Sequence, residues 1–371
     1  MSRFYDFILA ISLFLRYINR RERKRPGGLN RGTMGEELDS DFLQRMPKVE
    51  LHLHLEGAIQ PATAIDLMRR NGADYVPESS LDLKRLYRFE DLSQFVTALR
   101  SVSNHIQRLE DLQRIARELL DNLITQNVRY IEFDCAVQKY LDLGFTLDEI
   151  LAALQECAEE AADRIEARLV INLQRSHGPQ KTAELVERTA ALDHPLVAGI
   201  GLSGDESRYP QRDYRRAFDL AREAGLHRTV HAGEALGPDS VRDALDLLHA
   251  ERIDHGTRAI EDPVMVDRLR EEQIPLTQCL SSNLRLNIIP DLHSHPFPLF
   301  LRQGLVVALH TDDPQVFGIT LTGEYQLAHS GFSLTRDEIR RIVFNGVQGA
   351  FLPENRREEL HRRITEAWAA L

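Results

Sequence analysis

The stretch Leu51-His52-Leu53-His54-Leu55-Glu56-Gly57 alternates leucine with polar residues, and the rest of the chain is organised around it. Side chains on a β-strand alternate between its two faces, so His52 and His54 point one way while the leucines point the other. On a helix, residues two positions apart do not face each other. Gly57 and Ala58 indicate that the strand ends at a loop. The stretch therefore predicts a strand that ends with two adjacent imidazoles, which is half of a zinc site.

The composition limits the class of protein. The chain has 371 residues, 43% of them hydrophobic, which is enough for one large core or two smaller ones. Its three cysteines, Cys135, Cys157 and Cys279, lie far apart, so we expect neither a disulfide framework nor a thiolate metal site, and a reduced, cytoplasmic setting fits best. The net charge of −11 argues against nucleic acid as a partner and suits a small, neutral substrate.

The N-terminal segment differs in composition from the rest of the chain. Residues 1–34 contain eight Lys or Arg and two Asp or Glu, which leaves 38 basic and 55 acidic residues elsewhere. The uninterrupted apolar run Phe7–Leu15 is far shorter than the roughly 20 residues needed to span a bilayer. A signal peptide would carry its positive charge before the apolar run, whereas here the basic run Arg20–Arg25 follows it.

These features predict the domain organisation. Residues 1–45 are expected to form a basic, partly apolar tail that is disordered or dispensable. Residues 46–371 show no internal repeat or low-complexity linker and are expected to form a single domain. Contact of residues 1–25 with a membrane surface is the alternative function for the tail.

Short apolar runs alternate with helix-length amphipathic segments from Val49 onward. This alternation indicates βαβ units, and eight strands over roughly 260 residues is the count expected for a (β/α)8 TIM barrel. A doubly wound open sheet is disfavoured because no Gly-x-Gly-x-x-Gly follows the first strand. Extra helical segments at Ala62–Arg70 and Leu92–Ile106 predict a lid over the mouth of the barrel. The predicted strands are Val49–Leu55, Val128–Cys135, Leu169–Leu173, Val197–Leu202, Thr229–His231, Arg252–Asp254, Pro275–Gln278 and Val306–His310.

Zinc-type ligands recur where later predicted strands end, and a barrel of this type carries its reactive residues at those ends. They are His231 and Glu234 after the fifth strand, His255 at the end of the sixth, and Asp312 and Asp313 after the eighth. Imidazole nitrogen and carboxylate oxygen are ordinary zinc ligands, and a catalytic site keeps one position for water. Together with the two histidines of the first strand, these residues predict a metal-dependent site.

Each of these residues also has a purely structural interpretation. His231 alone fits a hydrogen-bonded core histidine, Asp312-Asp313-Pro314 alone fits a turn, and Glu234 fits an acid at a helix N-terminus. The metal site is favoured because all of them fall at the ends of predicted strands. Four further histidines are given no role, the last two being expected at the surface of a proline-rich loop: His249, His310, His293 and His295.

Several motifs resemble the adenosine/adenine deaminase family, in the right order from about Met46 to the C-terminus. They are the stretch from Pro47 to Gly57, then Ser203-Gly204-Asp205-Glu206, His231-Ala232-Gly233-Glu234, His255-Gly256 and Thr311-Asp312-Asp313-Pro314. The resemblance implies a (β/α)8 barrel that releases ammonia from C6 of an adenine ring. The Pro-Cys-x-x-Cys signature of other zinc deaminases is absent from the sequence.

The resemblance also implies the catalytic machinery. One Zn²⁺ per chain would be held by His52, His54, His231 and Asp312. Bound zinc lowers the pKa of a water from 15.7 to about 7, which gives hydroxide at neutral pH. Glu234 would protonate N1 of the purine, which requires a raised pKa in a closed pocket, and His255 would orient the water and take its proton. Substrate contacts are implied for His54, for Glu56 towards a sugar, for Gly204 at N3 and for Asp313 at N7.

The substrate within this family is less sharply defined by the motifs. Ser203-Gly204-Asp205-Glu206 and Phe317–Thr322 resemble nucleoside enzymes, which favours adenosine and 2′-deoxyadenosine as in a bacterial-type adenosine deaminase of purine salvage. Ser282–Leu286 and Ile253-Asp254-His255 resemble adenine deaminases instead. Adenine, aminodeoxyfutalosine and N6-methyl-AMP therefore stay open as substrates, as do another amidohydrolase reaction and a non-catalytic nucleoside-binding barrel. A small purine is the expected partner, and the oligomeric state is left open.

Overall fold

A closed ring of parallel strands forms the centre of the molecule. A computed structural model describes residues 38–90 and 92–371. Within these ranges eight strands form one sheet in sequence order, each parallel to the next. A bridge between Leu53 and Asp312 joins the two edges of the sheet. The predicted (β/α)8 barrel is confirmed, with strands β1 (Lys48–Glu50), β2 (Val128–Cys135), β3 (Glu166–Gln174), β4 (Val197–Ser203), β5 (His227–Ala232), β6 (Arg252–His255), β7 (Leu276–Gln278) and β8 (Val307–Leu309).

Helices surround the strands and connect them. Four of them lie between β1 and β2, where the sequence predicted additional lid helices. The helices of the described residues are α1 (Ser40–Arg45), α2 (Pro61–Arg70), α3 (Ser80–Leu86), α4 (Leu92–Ser103), α5 (Leu109–Thr125), α6 (Val137–Asp142), α7 (Leu147–Ala161), α8 (Pro179–Leu192), α9 (Arg215–Glu223), α10 (Pro238–Leu248), α11 (Pro263–Glu271), α12 (Leu280–Arg285), α13 (Phe297–Gln303), α14 (Pro314–Phe317), α15 (Leu321–Phe332), α16 (Arg336–Gly349) and α17 (Glu354–Ala369).

Local sequence signals explain where several helices begin. Thr146 and Glu149 form a capping box at the start of α7, and Thr335 and Glu338 do the same for α16. In each box the threonine oxygen accepts from a backbone N–H of the first turn, and the glutamate carboxylate accepts from the backbone N–H of the threonine. Helices α2, α8, α10 and α11 begin with proline, whose missing N–H has no intrahelical partner at this position.

A fully buried ion pair fixes the barrel interior below the strand ends. Arg252 of β6 donates to Glu132 of β2 at 2.6 Å and to the carbonyl oxygen of Gly349 at 3.0 Å. The guanidinium also lies over the ring of Phe351, 3.9 Å from its centroid. Removing one partner of a buried pair leaves an uncompensated charge, which is costly. The pair therefore fixes the positions of β2, β6 and the end of α16 relative to one another.

The packed chain begins before the predicted boundary at residue 46. Helix α1 buries Phe42 and Leu43, and the Phe42 ring meets Trp368 of α17 edge-on, with 5.6 Å between ring centroids. Residues 38–45, which were predicted to lie in the tail, therefore pack on the barrel through Phe42 and Leu43. One apolar pair in a six-residue helix is too short a pattern to stand out beside the basic segment before it.

The remaining part of the predicted tail, residues 1–37, lies outside the described residues, as does the membrane contact proposed for residues 1–25. Among residues 38–90 and 92–371, no helix is long and apolar enough to cross a membrane. The expectation that residues 1–37 are dispensable stays a prediction.

Deleting residues 1–37 is expected to leave the melting temperature unchanged, whereas deleting residues 1–45 is expected to lower it. The longer deletion uncovers the core surface under Phe42 and Leu43, and loss of one buried phenylalanine side chain costs about 3–5 kcal/mol. Calorimetry on the full chain and both shortened chains makes the comparison. Equal melting temperatures for the two shortened chains would contradict the packing role of α1, and a drop on deleting 1–37 would show that the tail stabilises the barrel.

Candidate active site

Four predicted ligands meet at the C-terminal end of the barrel. His52, His54, His231 and Asp312 are buried, and each offers one ligand atom within 4.8 Å of all the others. The Nε2 atom of His231 lies 3.1 Å from Nε2 of His52 and 3.2 Å from Nε2 of His54. Oδ1 of Asp312 lies 3.5 Å and 3.3 Å from the same two histidine nitrogens. The two edges of the barrel, β1 and β8, therefore contribute to one cluster with β5.

Hydrogen bonds behind the rings show where the imidazole protons lie. Thr277 donates its hydroxyl proton to Oδ1 of Asp254 at 2.8 Å, so Nδ1 of His52, 3.0 Å from that hydroxyl, must be the donor there. Nδ1 of His231 faces the other oxygen of Asp254 at 3.4 Å. When both rings are neutral and carry their protons on Nδ1, the Nε2 lone pairs of the two rings face each other. A cation between them removes this repulsion, so the donor set fits a divalent metal ion.

The surrounding carboxylates favour positive charge at this point. Burial opposes ionisation of His52, but Asp254 and Asp312 raise the pKa of His52 to about 9. Burial likewise opposes ionisation of Asp312, but hydrogen bonds with His52 and His54 hold the pKa of Asp312 well below its usual range. A proton or a metal ion can supply the charge, so metal binding is expected to release a proton. Cys279 and His255 form a second possible ligand group with Asp312, which overlaps the first.

An acid lies beside the metal ligands. Oε1 of Glu234 is 3.6 Å from Nε2 of His255, and that nitrogen is 4.0 Å from Oδ2 of Asp312. Glu206 holds the loop that carries the acid, because its carboxylate accepts from the backbone N–H groups of Glu234 at 2.9 Å and Leu236 at 2.7 Å. Burial, reinforced by the charges of Asp312 and Glu206, raises the pKa of Glu234 well above its usual value. A raised pKa is what a carboxyl group needs in order to act as a proton donor in catalysis.

A cavity of about 700 Å³ opens above the ligands and is roofed partly by helix α4. Its lining includes all the residues for which substrate contacts were predicted: His54, Glu56, Gly204 and Asp313. Asp313 packs against Gly57, where any Cβ would overlap its carboxylate. Burial and the neighbouring Asp312 raise the pKa of Asp313 above its usual range. Oδ1 of Asp313 is buried without a hydrogen-bond partner in the described part of the chain. Because buried polar atoms normally have a partner, a bound ligand is expected to supply one.

Glu56 is already hydrogen-bonded by the protein. One of its carboxylate oxygens accepts from the backbone N–H of Ala136 and from the hydroxyl of Tyr140, both at 3.1 Å, and the Cys135 thiol lies 3.8 Å away. The family resemblance implied that Glu56 faces a sugar. The structure supplies two partners, Ala136 just after β2 and Tyr140 of α6.

Several site residues were not assigned a role from the sequence. The Asn172 amide lies 3.1 Å from Nδ1 of His54, while Asp254 and Thr277 support His52 and His231. Asn172 interrupts the apolar run Leu169–Leu173, which is a local signal that could have found it, whereas Thr277 stands beside the polar Gln278 and has no such signal. The surface prediction for His295 was wrong, because its side chain is buried and contacts Asn283. A proline-rich neighbourhood does not reveal that the loop folds inward at one position.

Comparison with known proteins agrees with this geometry. The adenosine deaminase family model matches residues 47–367. The chain is 36% identical over 322 residues to the adenine deaminase of Agrobacterium fabrum, covering 86% of this chain and 98% of that protein. The structure resembles that of adenine deaminase from Arthrobacter aurescens, with a TM-score of 0.82, 31% identity, and coverage of 88% of this chain and 100% of that one. It also resembles an amidohydrolase from Burkholderia ambifaria with bound Zn, with a TM-score of 0.83, 29% identity, and coverage of 91% and 95%.

Fold, site and relatives define a metal-dependent aminohydrolase that deaminates adenine-type substrates. The chain belongs to the adenosine deaminase family.

Substitutions in the cluster are expected to separate ligands from supporting residues. His231→Ala should lose most of the bound metal, whereas Asp254→Asn should keep the ligands and weaken metal affinity by about 10- to 100-fold, because the support of both rings is altered. Metal content by mass spectrometry and affinity by chelator competition measure the two effects. His293→Ala, an exposed histidine outside the cluster, is the matched control. Full metal content in His231→Ala would place the metal elsewhere.

Proposed function

We propose that this enzyme deaminates the free base adenine to hypoxanthine and ammonia, with one zinc ion per chain. The sequence favoured adenosine, with adenine as the alternative, and the relatives support the alternative. Adenine deaminases from Agrobacterium fabrum and Rhizobium rhizogenes are 36% and 35% identical to this chain over nearly their whole lengths. The Burkholderia amidohydrolase with bound Zn supports zinc as the metal.

The observation that carries the choice of adenine is the environment of Glu56. In a dry pocket, a polar group without a partner costs about 1–3 kcal/mol, so an unpaired Glu56 carboxylate would favour a substrate that carries a ribose. Ala136 and Tyr140 donate to one oxygen of the Glu56 carboxylate, Oε1, so a substrate without a sugar does not leave that oxygen unpaired. These two contacts weaken the energetic argument for a nucleoside, which required an unpaired Glu56 carboxylate.

The proposed roles follow from the position of each side chain. Zinc held by His52, His54, His231 and Asp312 would supply Lewis-acid activation of the attacking water. Glu234 gives its proton to N1, which makes C6 electrophilic enough to react. Asp313 contacts the ring at N7, and the backbone N–H of Gly204, a residue with φ of 99°, contacts N3. His255 orients the water beside Glu234.

The reaction balances without a further reactant. The water oxygen forms a bond to C6, the bond between C6 and the amino nitrogen breaks, and N1 keeps the proton from Glu234. One proton of the water leaves with the amino group as ammonia. The other returns to the Glu234 carboxylate, which restores the acid for the next turnover.

A substrate panel tests the proposal. We expect kcat/KM for adenine to exceed that for adenosine by at least tenfold, because binding of the base requires no sugar contact. Steady-state kinetics on adenine, adenosine, AMP and N6-methyl-AMP under one set of conditions provide the comparison. The phosphorylated compounds belong in the panel because the cavity of about 700 Å³ has room for a substituent on the ring.

His231→Ala purified in parallel measures any contaminating deaminase. A tenfold preference for adenosine over adenine would overturn the choice of the free base while leaving the zinc chemistry intact. Absence of turnover on every purine in the zinc-loaded enzyme would overturn the proposed function as a whole.

A further inference from the structure

A chain of hydrogen bonds leads from a backbone amide to the ring of His255. The backbone N–H of Phe297 donates to Nδ1 of His295 at 3.1 Å, so this nitrogen carries a lone pair. Burial lowers the pKa of His295 to about 3, and the neutral ring therefore carries its single proton on Nε2. That nitrogen lies 3.1 Å from the side chain of Asn283 and must be the donor in this contact.

The orientation of the Asn283 amide follows from this contact. An N–H donor at His295 requires the oxygen of the amide, Oδ1, at that position, and the hydroxyl of Thr257 donates to the same oxygen at 2.8 Å. The amide nitrogen then faces His255, with Nδ2 3.3 Å from Nδ1 of that ring. Because an amide nitrogen only donates, Nδ1 of His255 must accept. The proton of neutral His255 therefore lies on Nε2.

We propose that Asn283 and His295 are positioning residues that hold His255 as the Nε2–H tautomer, so that it donates a hydrogen bond to the oxygen that attacks C6. The proposal rests on the proposed deamination for its consequence, but not for the tautomer itself. Nε2 is the His255 nitrogen that faces Glu234, at 3.6 Å, and Asp312, at 4.0 Å. It has no lone pair in this tautomer, so the proton of the attacking water goes to Glu234 and not to His255.

The backbone holds the ring in place from the other side. His255 has a φ of 64°, a left-handed conformation that is uncommon for a residue with a side chain. The side-chain amide of Gln278 donates to the His255 carbonyl oxygen. Residues in such conformations persist where the surroundings over-determine them, and here both the backbone and Nδ1 have fixed partners.

Asn283→Asp tests the proposal with a nearly isosteric change. The new carboxylate still accepts from His295 and Thr257 but can also accept from Nδ1 of His255, which moves the ring proton away from the reaction. We expect kcat to fall by about 100-fold or more, by analogy with tautomer inversion in a catalytic triad, with little change in KM and normal metal content. Retention of kcat within about threefold at full metal content would overturn the proposal.

Two further variants and a control separate positioning from folding. His295→Gln keeps an N–H donor towards Asn283 and should recover most of the activity that His295→Leu loses. Asn345→Asp replaces a buried amide that donates to the Val307 carbonyl oxygen at 2.8 Å, away from the cavity, and should leave kcat per metal-loaded chain unchanged. An equal loss in His295→Gln and His295→Leu would contradict the role assigned to the donor.

Nitrogen NMR on the zinc-loaded enzyme with ¹⁵N-labelled histidine rings reads the tautomer without substrate. The His255 signals, assigned by their loss in His255→Gln, should show a protonated Nε2 in the natural sequence and a protonated Nδ1 in Asn283→Asp. A protonated Nδ1 in the natural sequence would refute the inference. This readout is independent of which purine the enzyme accepts, so failure of the proposed substrate and failure of the tautomer are distinguishable.

Discussion

The site is built around a close contact between two imidazole nitrogens, Nε2 of His52 and Nε2 of His231. The Nε2 atoms of His52 and His231 lie 3.1 Å apart, and their Nδ1 atoms are committed to Thr277 and to Asp254. Buried polar atoms of like character are not brought this close unless an interaction of opposite sign offsets the repulsion. A metal ion bound by both nitrogens provides it, and so does a proton between them. The carboxylate of Asp254 contacts His231 directly and His52 through the Thr277 hydroxyl. One buried residue therefore orients two of the predicted metal ligands.

The hydrogen bonds that close the barrel also bring predicted metal ligands together. The backbone N–H of Asp312 donates to the His52 carbonyl oxygen at 2.9 Å, and the N–H of His54 donates to the Asp312 carbonyl oxygen at 2.8 Å. The bonds that join the first and last strands therefore hold three of the four ligands. Asp312 has a φ of 62°, which turns its side chain out of the strand direction and towards the histidines. A change that opens this seam is expected to disturb metal binding before it disturbs the rest of the fold.

Much of this arrangement could be predicted because local sequence patterns indicate it. Strand β2 has the predicted limits Val128–Cys135, and the rings of His52 and His54 lie 5.5 Å apart as a pair, although β1 ends at Glu50 and not at the predicted Leu55. The supporting residues could not be found in this way. The partners of Asp254 are His231 and Thr277, each 23 residues away along the chain, and Asn283 reaches His255 across 28. Such contacts depend on strand register and on loops that fold inward, and short-range periodicity does not encode them. The partners of Glu56, Ala136 and Tyr140, are likewise 80 and 84 residues away along the chain.

The most direct test of the central claim is the metal content and turnover of Glu234→Gln. The claim is that zinc and a buried acid act together, the metal on the water and Glu234 on the ring nitrogen. Glutamine is nearly isosteric with glutamic acid but is a poor proton donor, so the variant should bind as much zinc as the natural sequence. Its kcat should fall by roughly 100- to 10,000-fold, the range that general acid catalysis contributes. Near-normal deamination by a fully zinc-loaded Glu234→Gln enzyme would contradict the account.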